Sequence, residues 1–167
     1  MVFIFHSIHC ITVITSKGNK SVLVWDLQLR LFHWSLALFF LLAYFLEVGS
    51  MELHVHVGYT IMLLILFRLL WGFIGSHYAR FSEFLVSPME SLKYTRELLT
   101  GKVRRYLGHN PAGATMIVFL MLAIFITTLS GICLIALEGR GPLSNTFVVS
   151  LSGGMLKRIH ELSADLS

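Results

Sequence analysis

Charge is scarce in this chain. Only 13% of its 167 residues are Asp, Glu, Lys or Arg, about half the share in an ordinary soluble domain. There are three prolines and two cysteines. Cys10 stands in an N-terminal tail and Cys133 in an apolar run, so no disulfide between them is expected. No C-x-x-C-H occurs, which excludes covalently attached haem by the usual motif. Neither G-x-G-x-x-G nor a Walker loop is present, and those motifs therefore provide no nucleotide site. Paired carboxylates and Ser/His/Asp groupings are also missing, leaving no basis for acid–base or hydrolytic chemistry.

What the chain does have is apolar residue, 56% of the total, gathered into blocks long enough to cross a bilayer. The first span runs roughly from Leu31 to Leu46, the second from Val55 to Ile74 and the third from Pro111 to Leu137. After Gly139 the chain is never apolar enough to cross again, but "KRIHELSADLS" reads as the first turns of a fourth helix. The expected fold is an all-α membrane protein. It is an up-down transmembrane helix bundle, with three clear spans plus the start of a fourth. Residues 1–21 form an N-terminal leader of uncertain structure. Its apolar start, Met1 to Ile14, lacks the positive n-region of a signal peptide and reads as an extra translated leader or a segment lying on the membrane.

Between spans two and three, "SPMESLKYTRELLTGKVRR" carries a capping box at Ser87 and Glu90, with Pro88 at the first helical position and Gly101 as the stop. Met89, Leu92 and Leu99 fall roughly on one face. The pattern fits a short helix on the membrane surface and fits a solvated connector equally well. Asn110 and Pro111 make a helix start for span three.

Basic residues set the orientation. Lys17, Lys20 and Arg30 precede span one, and Arg80, Lys93, Arg96, Lys102, Arg104 and Arg105 lie between spans two and three. The turn between spans one and two has only Glu47 and Glu52. By the positive-inside rule the N-terminus and the basic loop, with its surface helix, are cytoplasmic. The segment from Glu138 onward, with Arg140, Lys157 and Arg158, is outside. The net charge of +4 thus reports topology and contact with membrane lipid rather than nucleic acid.

Eight histidines are present, and their depths are more informative than their number. His33 in "RLFHW" and His109 in "GHNP" lie at cytoplasmic helix starts. His54 and His56 lie at the outer start of span two, and His160 is in the unfinished helix on the same side. Imidazoles at one depth on facing helices can hold a metal or a haem iron; taken singly, each is equally well an interfacial anchor. His54 and His56 diverge by about 200° around their helix. Gly58 lies one turn from His54 on the same face, leaving room for a flat macrocycle, whereas the face of His56 continues with Thr60. His54 is therefore the better ligand. Arg68 stands roughly 21 Å further along the axis, at the level of His33. Arg30 and Arg68 can neutralise haem propionates there or snorkel to the interface, the latter being favoured.

Four stretches, "VLVWDLQLRLFHW", "LHVHVGYTIMLLILFRLLWGFIGSHYARF", "YLGHNPAGATMIVFLMLAIFITTLSGI" and "HELSADL", resemble the bacterial cytochrome b561 and nickel–iron hydrogenase b-type cytochrome family. The resemblance covers roughly Val22 to the C-terminus, making 22–167 one transmembrane domain, incomplete at its C-terminal end. It implies a four-helix bundle in the bacterial inner membrane with two haems b, each ligated by two histidines. His33 matches the first-span ligand, His54 the second-span ligand and His160 the earlier of two on the fourth helix. The later one falls beyond Ser167, so His33 has no matching partner. The chain is then a truncated version of a longer product or holds at most the outer haem.

The function so implied is electron transfer between the quinone pool and an outer-face, periplasmic redox partner: a c-type cytochrome or a hydrogenase or dehydrogenase subunit. The chain would be an electron-transfer subunit rather than a stand-alone enzyme, with a homodimer among the assemblies allowed. His109 is a candidate lining residue for a quinone pocket near His33, with a helix-start anchor the favoured role. The alternatives are a membrane protein binding or transporting a transition metal through its histidines, and an inactive fragment without cofactor.

Overall fold

The computed structural model describes residues 10–15, 18–23, 27–76, 79–84, 87–100 and 111–167. Expectations placed on His109, Asn110, Gly101, Lys17, Lys102, Arg104 and Arg105 lie outside the described residues, as does the start of the leader. So does the side chain of Leu99.

Two strands open the described chain, β1 (Cys10–Thr15) and β2 (Gly18–Leu23). They pair antiparallel, from Cys10 opposite Leu23 to Thr15 opposite Gly18. The leader left open by the sequence reading is thus in part a hairpin. Its first strand is a β-branched run, Ile11 to Thr15, of the kind that suits extended backbone.

The rest of the described chain is helical. Helix α1 (Leu27–Gly49) and α2 (Met51–Ile74) form an antiparallel pair joined at Ser50, whose hydroxyl accepts a long hydrogen bond from the Leu53 amide at 3.5 Å. A single turn, α3 (Phe81–Phe84), leads to α4 (Pro88–Leu99). Helix α5 (Pro111–Leu137) follows, then a 3-10 turn at Phe147–Ser150 and α6 (Gly153–Asp165). Three of these helices, α1, α2 and α5, are long and apolar enough to cross a membrane. The first two begin about one turn earlier than hydropathy indicates, because Leu27 and Met51 extend the helix through polar residues that a hydropathy window discounts.

The spans pack in sequence: α1 on α2, α2 on α5, and α5 on both α4 and α6. Phe32, Ile61, Ile65 and Ile124 form the core where α1, α2 and α5 meet. A second cluster, Cys133, Ala136, Val148 and Leu156, ties α6 and the 3-10 turn to the end of α5. Outward faces stay apolar: Leu31, Leu38, Leu41 and Phe45 on α1, and Leu63 and Leu70 on α2, are exposed. In water such surface would be a liability; against lipid chains it is the expected solvent-facing side.

Helix α4 has the two-sided character expected of a surface helix. Its Ser87 hydroxyl accepts from the Glu90 amide at 3.2 Å, as the capping box requires. Ser91 and Tyr94 are buried, and the Ser91 hydroxyl donates to the Pro111 carbonyl at 3.2 Å, docking α4 on the start of α5. Met89 and Leu92 point away from this contact and are exposed.

Candidate functional site

Helix α6 rests on α5 through Leu156, His160 and Ser163. Helix α2 lies against another side of α5. His54 and His160 therefore look at one another across the space between α2 and α6. Their ring centroids are 6.2 Å apart and their planes are crossed at 75°. An imidazole nitrogen sits about 2 Å from a metal ion that it ligates. Two rings gripping one ion from opposite sides would therefore have centroids roughly 6 Å apart by that bond length and the ring's own radius. The observed spacing fits one metal ion between the rings.

The hydrogen bonds fit as well. His54 Nδ1 is 2.9 Å from the Ala43 carbonyl of α1. His160 Nδ1 is 2.8 Å from the Thr127 carbonyl of α5. A carbonyl only accepts, so each Nδ1 carries a hydrogen, and in a neutral ring Nε2 then keeps the lone pair that coordination needs. Backbone atoms of neighbouring helices thus orient both rings.

Two glycines stand near the rings. Nothing lies within 4 Å of where a Cβ on Gly58, one turn from His54, would stand, so that position faces open space. At Gly131 a Cβ would stand 3.0 Å from His160 Cε1 and 3.3 Å from Nδ1. This glycine, which the sequence reading did not single out, lets the Cε1–Nδ1 edge of the His160 ring come close to the α5 backbone. A glycine inside an apolar helix was the available signal.

His56, the rejected alternative, is exposed, and its Nδ1 lies 2.8 Å from the Glu52 carbonyl of its own helix. His33 is on the first turns of α1, exposed and edge-on to Trp34 at 6.2 Å between centroids. Arg30 is half-buried one turn earlier. Arg68 does not snorkel. It is 4% exposed, donates to the Ala79 carbonyl at 3.2 Å and lies 4.9 Å above the centre of the Phe81 ring. The structure thus uses Arg68 to hold the segment after α2 against the helix. Among the described residues, no three His, Cys, Asp or Glu side chains converge as a metal-binding group.

An all-helical membrane domain that faces two imidazoles from separate helices, each bonded through Nδ1 to a backbone carbonyl, has the kind of site that suits a membrane cytochrome. Comparison with known families agrees: the model for "Prokaryotic cytochrome b561" matches residues 24–166. The chain belongs to that family, and with its three apolar helices it is a multi-pass membrane protein. It is also similar to two proteins named "Probable Ni/Fe-hydrogenase B-type cytochrome subunit", from Azotobacter vinelandii and Azotobacter chroococcum mcd 1. Each is 28% identical over 155 residues, with 75% of this chain covered. The chain spans 63% of the length of these curated relatives. No solved structure matches it. Family membership implies haem b as the cofactor.

Proposed function

We propose that the protein is a membrane b-type cytochrome that moves single electrons between the quinone pool and a redox partner at the outer, periplasmic face of the inner membrane. The observation that carries this reading is the pairing of His54 with His160, each with Nδ1 engaged by a backbone carbonyl. Bound between them, haem iron supplies one-electron redox chemistry that no side chain here offers. The chain's own part is to aim both Nε2 atoms, to keep the flanking space open at Gly58 and to surround the site with apolar helices that exclude water.

His33, with Arg30, belongs in this reading to a second haem toward the cytoplasmic side, whereas Arg68 is engaged by Ala79 and Phe81. The relatives' names favour a hydrogenase as the outer partner. Transition-metal transport is disfavoured, since among the described residues no three ligating side chains converge.

Reduced-minus-oxidised spectra of membranes carrying the full chain test the reading. The b-type bands are expected, and His54→Ala or His160→Ala removes the haem between them while His56→Ala keeps it. Membranes without such bands, or haem lost with His56→Ala and kept with His54→Ala, would overturn it.

A further inference from the structure

The two imidazoles are held alike in kind but unequally in detail. His54 leans on the carbonyl of Ala43. His160 leans on a carbonyl that a second side chain also uses. Ser130 is buried, and its hydroxyl is 2.9 Å from the Thr127 carbonyl, 2.8 Å from the Ile126 carbonyl and 3.4 Å from His160 Nδ1. Gly131 lets the ring approach closely enough for this three-way contact. On the far side, Thr127 donates to the Ser163 hydroxyl at 2.8 Å, joining α5 to α6 just beyond the histidine.

We propose that Ser130 is a positioning residue for His160 that sets how strongly this imidazole donates to bound haem iron; the inference rests on the haem reading above. The hydroxyl has one hydrogen and two lone pairs. When it donates to the Thr127 carbonyl, it competes for the acceptor that His160 uses. When it turns to Ile126, its oxygen stands 3.4 Å from Nδ1, a long contact that takes little of the hydrogen His160 gives. Sharing of the Thr127 carbonyl thus weakens the bond that it accepts from Nδ1–H. An imidazole whose N–H is strongly bound gains anionic character and becomes a more basic ligand, which favours ferric over ferrous iron. Ser130 therefore holds His160 at intermediate basicity and keeps the haem easier to reduce than the unshared carbonyl would.

The test is a redox titration of the purified full chain, following the haem that His160→Ala abolishes. Ser130→Ala should lower the midpoint potential. At fixed ambient potential the ratio of oxidised to reduced haem should rise at least threefold, about 28 mV at 59 mV per tenfold for one electron. Ser130→Thr, which keeps the hydroxyl, should titrate with the parent. Should Ser130→Ala fail to retain haem, Ser130→Cys decides: its weaker S–H should titrate below Ser130→Thr. Potentials that stay unchanged, or rise, in the Ala and Cys variants overturn the inference and leave the haem reading intact. A parent chain that binds no haem overturns both.

Discussion

In the proposed reading, Gly58 and Gly131 set how near a flat group can come to the paired imidazoles. Gly58 faces open space, so Gly58→Leu should leave the helices intact by circular dichroism. The added side chain should occupy the gap beside His54 and cut haem content per chain several-fold in a pyridine haemochrome assay; unchanged content would mean that the gap is not the cofactor's. Gly131→Ala should act differently, pressing on the His160 ring from α5 at 3.0 Å and loosening its hold on the Thr127 carbonyl. Gly58 was legible in the sequence because it lies one turn from His54 on the same helix, where periodicity alone sets the face. Gly131 was not, because the ring it accommodates comes from another helix. Ser130 went unnoticed for the same reason, as a serine within an apolar helix ordinarily bonds back to its own turn.

At the scale of elements, the end of α2 is locked by its own return segment. Gly72 abuts the Phe81 ring so closely that a Cβ there would overlap it, and Arg68 spans the same junction through Ala79 and Phe81. Arg68→Ala should therefore cost about 2 kcal/mol, from a buried cation–π contact and a charged hydrogen bond. The cost would be read as a lower melting temperature of the detergent-solubilised protein. Arg68→Lys should recover little of it, since an ammonium lacks the planar face and fork of the guanidinium. The axial rise sets Arg68 near the far end of α2, where the sequence favours a snorkelling side chain over a propionate contact. The inward turn depends on Phe81 folding back, a contact between residues in different helices.

The crossed planes of His54 and His160 are likewise a product of two helices meeting. With ligand planes at 75°, two of the iron d orbitals would remain nearly equal in energy and retain orbital angular momentum. The ferric protein should accordingly give a highly anisotropic low-spin electron paramagnetic resonance signal. A rhombic spectrum of the kind given by parallel imidazoles would show that the rings rotate when haem is bound.

Across the whole molecule, three apolar helices with basic flanks commit the chain to a membrane, and charge asymmetry predicts which way it lies. In a Cys10→Ser background, Asn145→Cys in the exposed loop before the 3-10 turn should react with an impermeant maleimide added to intact spheroplasts. Lys93→Cys on α4 should react only after lysis. The reverse pattern would invert the topology and put His54 and His160 at the cytoplasmic face.

Periodicity and composition were enough to establish the helical class, the three spans and the capped helix between spans two and three, and to set His54 and His56 on different faces of α2. Each of these rests on hydropathy, on capping chemistry, or on angles repeated every 3.6 residues along one helix. The hairpin, the inward Arg68, the fit of Gly131 and the carbonyls that lock both imidazoles came only from tertiary structure. They are meetings between segments distant in the chain, and no local period encodes which backbone oxygen will lie beneath a given ring.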